Sequence, residues 1–243
     1  MMISKNRIKE ICSLSQKKYR DELGLFVVEG EKMVEEALHS DFEVVEVWRQ
    51  DEIGREAMER ISQLSSPSPV LALVRQKSQV PAPERPDDLM LALDSVRDPG
   101  NLGTIIRIAD WFGISTVLAS RDTVEVYNPK VVQATMGAIF RVEVIYCDLP
   151  QTLRGYAGHG IPVYGTFLDG SSIYDTQLSD KGIIVMGSES FGISPQVGET
   201  VSSRLLIPPF PAGEKRSESL NVAVATAITV AEFRRTNTTT VQI

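Results

Sequence analysis

Cysteine and histidine are both scarce in this 243-residue chain, and each shortage removes a class of chemistry. The two cysteines, Cys12 and Cys147, lie far apart with no histidine beside them, so neither a disulfide framework nor a zinc pattern can be assembled. His39 and His159 are the only histidines, which leaves Ser-His-Asp, Cys-His and histidine–metal catalysis without material; no metal is expected. No apolar run approaches the roughly 18 residues that a membrane helix needs. The opening Met-Met-Ile-Ser-Lys-Asn-Arg lacks the apolar stretch of a signal peptide, so the expectation is a cytoplasmic protein with no membrane attachment. No Gly-x-Gly-x-x-Gly follows a strand, and Gly187-Ser-Glu-Ser-Phe-Gly192 continues as Ile193-Ser194 where a phosphate loop requires Lys-Ser/Thr. Positive charge is also lacking overall: 25 Lys and Arg stand against 32 Asp and Glu, a net −7 that excludes a broadly basic nucleic-acid coat.

What is present is an ordinary globular composition, 42% hydrophobic and 23% charged, with room for two modest domains. Apolar periodicity predicts a helix over 4–19, then strands at 25–28, 44–48 and 70–74 separated by helices, a small α/β domain of residues 1–75. Pro81, Pro83 and Pro86 mark 76–88 as a linker. From 89 to 243 short apolar runs alternate with helical stretches, which predicts an α/β domain with a mostly parallel sheet covered on both faces. The last helix is expected from Ser219 to Arg235, followed by a frayed polar tail. Charge is uneven despite the acidic total. Lys5, Arg7, Lys9, Lys17, Lys18 and Arg20 face only Glu10 in the first twenty residues, a candidate phosphate-contacting patch whose alternative is a solvated helix face.

The most informative stretch is Asp94-Ser-Val-Arg-Asp-Pro-Gly-Asn-Leu-Gly-Thr-Ile-Ile-Arg-Ile-Ala-Asp-Trp-Phe-Gly113, a strand end, a polar turn and an amphipathic helix with Asn101 as expected cap. Two more turns share its character, Gly187 to Gly192 and Ile207 through Asn221. In a parallel sheet all three lie along one edge, where open α/β folds bind ligands. Each residue also has a purely structural use: Asn101 as a cap, Glu189 as a first-turn acid, Ser219 as the cap of the last helix.

The order of residues narrows the choice. Asp94-x-Val-x-Asp-Pro-x-Asn-x-Gly-x-Ile-x-Arg-x-Ala, Gly187-x-Glu-x-x-Gly-Ile-Ser194 and Ile207-Pro followed by Ser219-Leu-Asn-Val-Ala-Val-Ala225 resemble the three motifs of the SpoU/TrmH family of RNA ribose 2′-O-methyltransferases. The second motif reads Gly187-Ser-Glu-Ser190 where the family usually has Gly-Asn-Glu-Gly. Asn6-x-Ile-Lys, Lys18-Tyr-Arg and Gly24-x-Phe-Val-Val-Glu-Gly30 resemble the family's small RNA-binding domain, and Tyr127-Asn-Pro-Lys130 to Arg141 a segment that lies near RNA.

The resemblance implies a SPOUT fold whose C-terminal segment threads a deep trefoil knot, a homodimer, and S-adenosyl-L-methionine as cofactor. It places the cofactor around Met186, Gly187, Glu189, Gly192, Ile207, Ser219 and Leu220, and the chemistry at Arg107, Asn101, Glu189, Ser219 and Asn221. Lys130 and Arg141 join the basic patch as RNA contacts. The substrate it implies is ribosomal RNA, with tRNA, or a non-catalytic RNA-binding role, as alternatives. A ribose 2′-hydroxyl must lose its proton as it attacks the methyl. The resemblance assigns this step to Arg107, as a base or, because a guanidinium is effectively always protonated, as a cation beside the developing oxyanion.

Overall fold

The computed structural model describes residues 3–86, 88–211 and 219–237. The chain falls into two compact units, one made of Met1–Ser78 with Glu125–Arg141 and the other of Gln79–Val124 with Val142–Ile243.

The first unit begins with α1 (Lys5–Ser13) and α2 (Lys17–Leu23), two helices where periodicity predicts one. At their junction Leu14, Ser15 and Gln16 bond back three residues, to Ile11, Cys12 and Ser13, which tightens the turn and ends the α ladder. Gly24, at φ +63°, closes α2 in the left-handed conformation that glycine adopts without a Cβ penalty. Then follow β1 (Leu25–Glu29), α3 (Glu31–Leu38), β2 (Val44–Arg49), α4 (Gln50–Ile53), α5 (Arg55–Ile61) and β3 (Val70–Arg75). The strands form an antiparallel sheet of order β1-β3-β2. Alternation along β1 and β3 sends Leu25, Val27, Leu71 and Leu73 to one face, where Ile8, Ile11, Leu14, Met58 and Ile61 cover them. Phe26 points to the other face, its ring 4.6 Å from Tyr127 and 6.1 Å from Phe42, which meets Phe140 at 5.3 Å. These aromatic contacts draw residues 125–141 into the first unit, although they follow the second unit's opening strands in sequence.

The second unit opens with β4 (Leu89–Asp94), α6 (Pro99–Trp111) and β5 (Thr116–Ser120). The chain crosses to the first unit, where it forms α7 (Pro129–Thr135), and returns for β6 (Glu143–Cys147), α8 (Leu149–Gly158), β7 (Val163–Ser172), β8 (Gly182–Gly187), α9 (Pro195–Gly198), β9 (Ser203–Leu206) and α10 (Val222–Asn237). Six strands in the order β6-β5-β4-β8-β7-β9 make one sheet, and every neighbouring pair is parallel. All six residues of β4 are buried, as a central parallel strand requires. Met90, Ala92, Leu118, Ile183 and Val185 pack on one face with Leu149 and Leu153 of α8. On the other, α6 and α10 supply Ile105, Ile106, Val230 and Phe233, each fully buried and each contributing about 1.5–3 kcal/mol over exposure.

Strand order reverses at β4. The chain leaves β4 toward β5 and β6, and reaches β8 from β7 on the opposite side. The crevice opened at such a switch point, beyond the carboxyl ends of β4 and β8, is where doubly wound sheets bind ligands. Helix starts differ from expectation there. Asp98, not Asn101, caps α6, because Pro99 suits the first helical position and the Asp98 carboxylate accepts the Asn101 N–H at 2.8 Å. Asn221, not Ser219, caps α10. Of the loop expected after Ile207, residues 212–218 lie outside the described residues, as do 238–243 of the tail.

Candidate active site

The first wall of the candidate site is the turn after β4. Buried Asp94 accepts the Ser194 N–H at 2.7 Å, tying the end of β4 to the segment that follows β8. Ser95 takes a left-handed φ of +61°, and its hydroxyl donates to Asp122 at 2.8 Å. Arg97 donates to the same carboxylate oxygen at 2.8 Å and Ser120 to its partner at 2.8 Å. The Arg97 guanidinium, helped by the two hydroxyls against partial burial, holds the Asp122 carboxyl down at a pKa of about 2. Asp122 therefore stays ionised and fixes a turn that would be strained if left alone.

The second wall is the turn after β8. Ser188 N–H donates to Gly192 carbonyl at 3.0 Å and Gly192 N–H to Ser188 carbonyl at 2.9 Å, closing Ser188 to Gly192 into a loop. Gly192 supplies the φ of +66° that the loop needs. Gly187 supplies space: a Cβ there would stand 2.1 Å from the Gly192 carbonyl carbon and 2.3 Å from Ile193 nitrogen. The serine at 190, where the family usually has glycine, leaves the loop closed.

The third wall is the start of α10. Asn221 Oδ1 accepts the N–H groups of Ala223 at 3.0 Å and Val224 at 3.2 Å, so its Nδ2 points away from the helix. That nitrogen donates to Asn101 Oδ1 at 2.9 Å, and Asn101 Nδ2 donates to Glu189. The orientation of both amides is determined from the ends: helix N–H groups demand an acceptor, and the carboxylate demands a donor. One polar chain thus joins all three motif turns, running from the positive end of a helix to an acid.

Arg107 lies six residues beyond Asn101 on α6, and their side chains leave the helix about 120° apart. It is exposed and forms no ion pair or hydrogen bond among the described residues. It shares an outer face with Thr104, half-buried Ile108 and Trp111, the last 83% exposed. The structure brings Asn101, Glu189 and Asn221 into contact and leaves Arg107 and Ser219 outside that network. Of the cofactor set, Met186 is buried at the end of β8, Gly187 and Ile207 are half-buried, and Glu189, Gly192, Ser219 and Leu220 are exposed along the same edge.

The expected RNA contacts divide. Arg20 is only 2% exposed: it pairs with Glu125 and donates to the carbonyls of Leu14 at 2.9 Å and Ser15 at 3.0 Å, so it has no donor face for a phosphate. Its place in the patch is corrected to a structural one. Arg7 pairs with Glu10 and Glu46, Lys17 with Asp21, and Arg141 with Glu36. Lys5, Lys9, Lys18 and Lys130 are exposed, with no ion pair among the described residues. Sequence reasoning missed Asp98 as cap and the Asp122 hub; Asp-Pro ahead of a helix was the available signal for the first, while the second depends on a turn 25 residues away. No helix among the described residues is long and apolar enough to cross a membrane, and no group of three or more His, Cys, Asp or Glu there could hold a metal ion.

The profile of the SpoU rRNA Methylase family matches residues 88–231, and that of the MRM3-like substrate binding domain matches residues 5–72. A relative from Bacillus subtilis, 23S rRNA (guanosine(2553)-2′-O)-methyltransferase RlmP, is 30% identical over 94% of this chain and 96% of its own length. The RlmB 23S rRNA (guanosine-2′-O-)-methyltransferase of Neisseria meningitidis is 35% identical over 60% of this chain and 58% of its own. Among solved structures, a TrmH-family protein from Porphyromonas gingivalis superposes with a TM-score of 0.85 at 40% identity, covering 97% of this chain and 99% of that one. An rRNA methyltransferase from Sinorhizobium meliloti, solved with AdoMet bound, gives 0.87 at 28% identity, covering 98% of each. The match over most of the second unit, motif turns included, makes the chain a member of the SpoU rRNA methylase family.

Proposed function

We propose that this protein is a cytoplasmic enzyme that transfers a methyl group from S-adenosylmethionine to a ribose 2′-hydroxyl of ribosomal RNA. The observation that carries the reading is the Asn221–Asn101–Glu189 chain, which joins the three motif turns at the sheet's switch point. The proposed cofactor set, Met186, Gly187, Glu189, Gly192, Ile207, Ser219 and Leu220, holds one acid and no cation, a composition suited to a sulfonium ligand. Bound there, the cofactor supplies an electrophilic methyl. The chain's own residues do the rest. Arg107 presents a fixed positive charge to the 2′-oxygen as its proton departs to a substrate phosphate, and the polar chain of Asn101, Glu189 and Asn221 orients the ribose.

Two further elements belong to this reading. A homodimer is supported by the apolar outer stripe of Ile108 and Trp111 on α6 with Val224 and Ile228 on α10, which a second copy would cover. A trefoil knot is supported by the path of the chain: β9 lies at the sheet's outer edge, yet α10 returns to pack on α6 beside the central strands. Lys5, Lys9, Lys18 and Lys130 of the first unit are the proposed phosphate contacts.

The test uses ribosomal RNA and tRNA from cells lacking the gene, incubated with the protein and tritium-labelled S-adenosylmethionine, with methylated positions mapped afterward. A single new ribose 2′-O-methyl in ribosomal RNA is expected. A methyl on a base or on tRNA overturns the substrate assignment, and no transfer to any RNA overturns the enzyme.

A further inference from the structure

The turn that carries Glu189 also holds out a phenyl ring. Phe191 is 86% exposed, yet its backbone is not loose: its N–H donates to Ser188 Oγ at 3.2 Å inside the loop that two backbone bonds close between Ser188 and Gly192. Gly187, with no room for a Cβ, seats that loop against the end of β8. Glu189, two residues earlier in the same loop, is bonded to Asn101. Two residues span at most about 7 Å, the scale of one nucleotide. An aromatic ring is therefore held in water, on a rigid support, one nucleotide's reach from the polar chain proposed to orient the ribose.

Resting on the methyltransferase reading above, we propose that Phe191 is the stacking platform for the nucleobase of the nucleotide whose ribose is methylated. A 2′-hydroxyl can reach the bonded pair of Asn101 and Glu189 only if its nucleotide leaves its neighbours, and a base so exposed loses its stacking partners. Proteins that take single unstacked bases replace those partners with an aromatic face. A phenyl ring has no hydrogen-bonding edge, so Phe191 secures the base without reading its identity; any choice among bases falls to other groups.

The experiment measures steady-state methyl transfer to ribosomal RNA from cells lacking the gene, for wild type and for Phe191→Ala, Phe191→Leu and Phe191→Trp. S-adenosylmethionine affinity is measured by calorimetry and subunit mass by light scattering for each. Loss of one base stack is expected to raise KM for RNA roughly 5- to 100-fold in the alanine and leucine variants, with the tryptophan variant within about twofold of wild type, and with cofactor affinity and mass unchanged. A leucine variant equal to wild type overturns the inference, since apolar contact without a π face would then suffice. So does an alanine variant whose RNA KM is unchanged, or one whose only change is in cofactor affinity or mass. Wild-type protein that transfers no methyl removes the enzymatic reading itself, an outcome distinct from these.

Discussion

Asn221 donates its side-chain N–H to Asn101 Oδ1 at 2.9 Å, joining residues 120 positions apart at the starts of two helices that lie side by side. At the far ends of the same helices, Arg234 Nε donates to the Phe112 carbonyl at 2.9 Å, so α6 and α10 run in the same direction and are fastened at both ends. The cap and the donor are separable functions of one side chain. Asn221→Asp still offers oxygens to the N–H groups of Ala223 and Val224, but cannot donate to Asn101. The expected outcome is a urea midpoint close to wild type, since aspartate caps as well as asparagine, together with about a 10- to 100-fold drop in kcat/KM as Asn101 loses its fixed orientation. Wild-type kinetics in this variant would show that the link is structural only.

Arg107 stands apart from that chain, exposed on the outer face of α6. If its task is to offset charge on the attacking oxygen, Arg107→Ala should lower kcat by about 100-fold or more while leaving the circular dichroism spectrum and S-adenosylmethionine affinity unchanged. Arg107→Lys should recover part of the loss, because charge survives although the planar fork does not. Single-turnover rates at saturating RNA separate this effect from weakened RNA binding.

The all-parallel sheet was legible because each buried strand reads as a short apolar run, as Leu89-Met-Leu-Ala-Leu93 and Ile183-Ile-Val-Met186 do. The approach of Asn101, Glu189 and Asn221 was legible only as three turns sharing one edge; which amide faces which depends on the helix starts, and both starts differ from expectation by a few residues. Propensity places Asn at either position, whereas Asp98 ahead of Pro99 decides the first and frees the Asn101 side chain. Arg20 shows the opposite failure. Charge counting cannot separate a cation in solvent from one whose partner, Glu125, arrives from 105 residues away. The excursion of 125–141 into the first unit was invisible for a similar reason: Phe26, Phe42, Tyr127 and Phe140 have no local pattern that pairs them.

Gly187→Ala tests the support of the second motif. Its Cβ would meet backbone atoms at 2.1–2.4 Å, and no side-chain rotation relieves a clash with backbone. The loop must open, at about 1–3 kcal/mol by analogy with overpacked sites. In thermal melts the variant is expected to lose stability and also to lack the upward shift expected of wild type with S-adenosylmethionine. A lower melting point with the ligand shift retained would separate the loop from cofactor binding.

Arg20 and Lys18 are close in sequence and opposite in role. Arg20 is buried and Glu125 partly so; Arg20→Met leaves that carboxylate and the Leu14 and Ser15 carbonyls without their donor, and is expected to cost about 1–3 kcal/mol in urea unfolding. Lys18→Gln, on an exposed residue, should leave the unfolding curve within about 0.5 kcal/mol and lower RNA affinity, with a shallower dependence of log Kd on log salt. Equal salt slopes for wild type and Lys18→Gln would remove Lys18 from the RNA contacts.

Glu29 gives the first unit a pH dependence of defined sign. Its carboxylate is buried at the end of β1, accepting the Ser62 hydroxyl at 2.6 Å and the Gln63 N–H at 2.6 Å. Burial pushes its pKa above the ordinary 4.5, and the two hydrogen bonds pull it back only in part. The folded state therefore holds the proton more tightly than the unfolded chain. The group's favourable contribution is complete below the unfolded pKa and is lost as pH rises through the folded one. Glu29→Gln keeps the amide oxygen for Gln63 N–H and cannot ionise, so it should unfold at a higher urea concentration than wild type near pH 7, with the gap closing as pH is lowered through the folded pKa toward 4. A gap that stays constant with pH would mean that the Glu29 carboxyl keeps one charge state across the range, and that its burial does not set the pH profile.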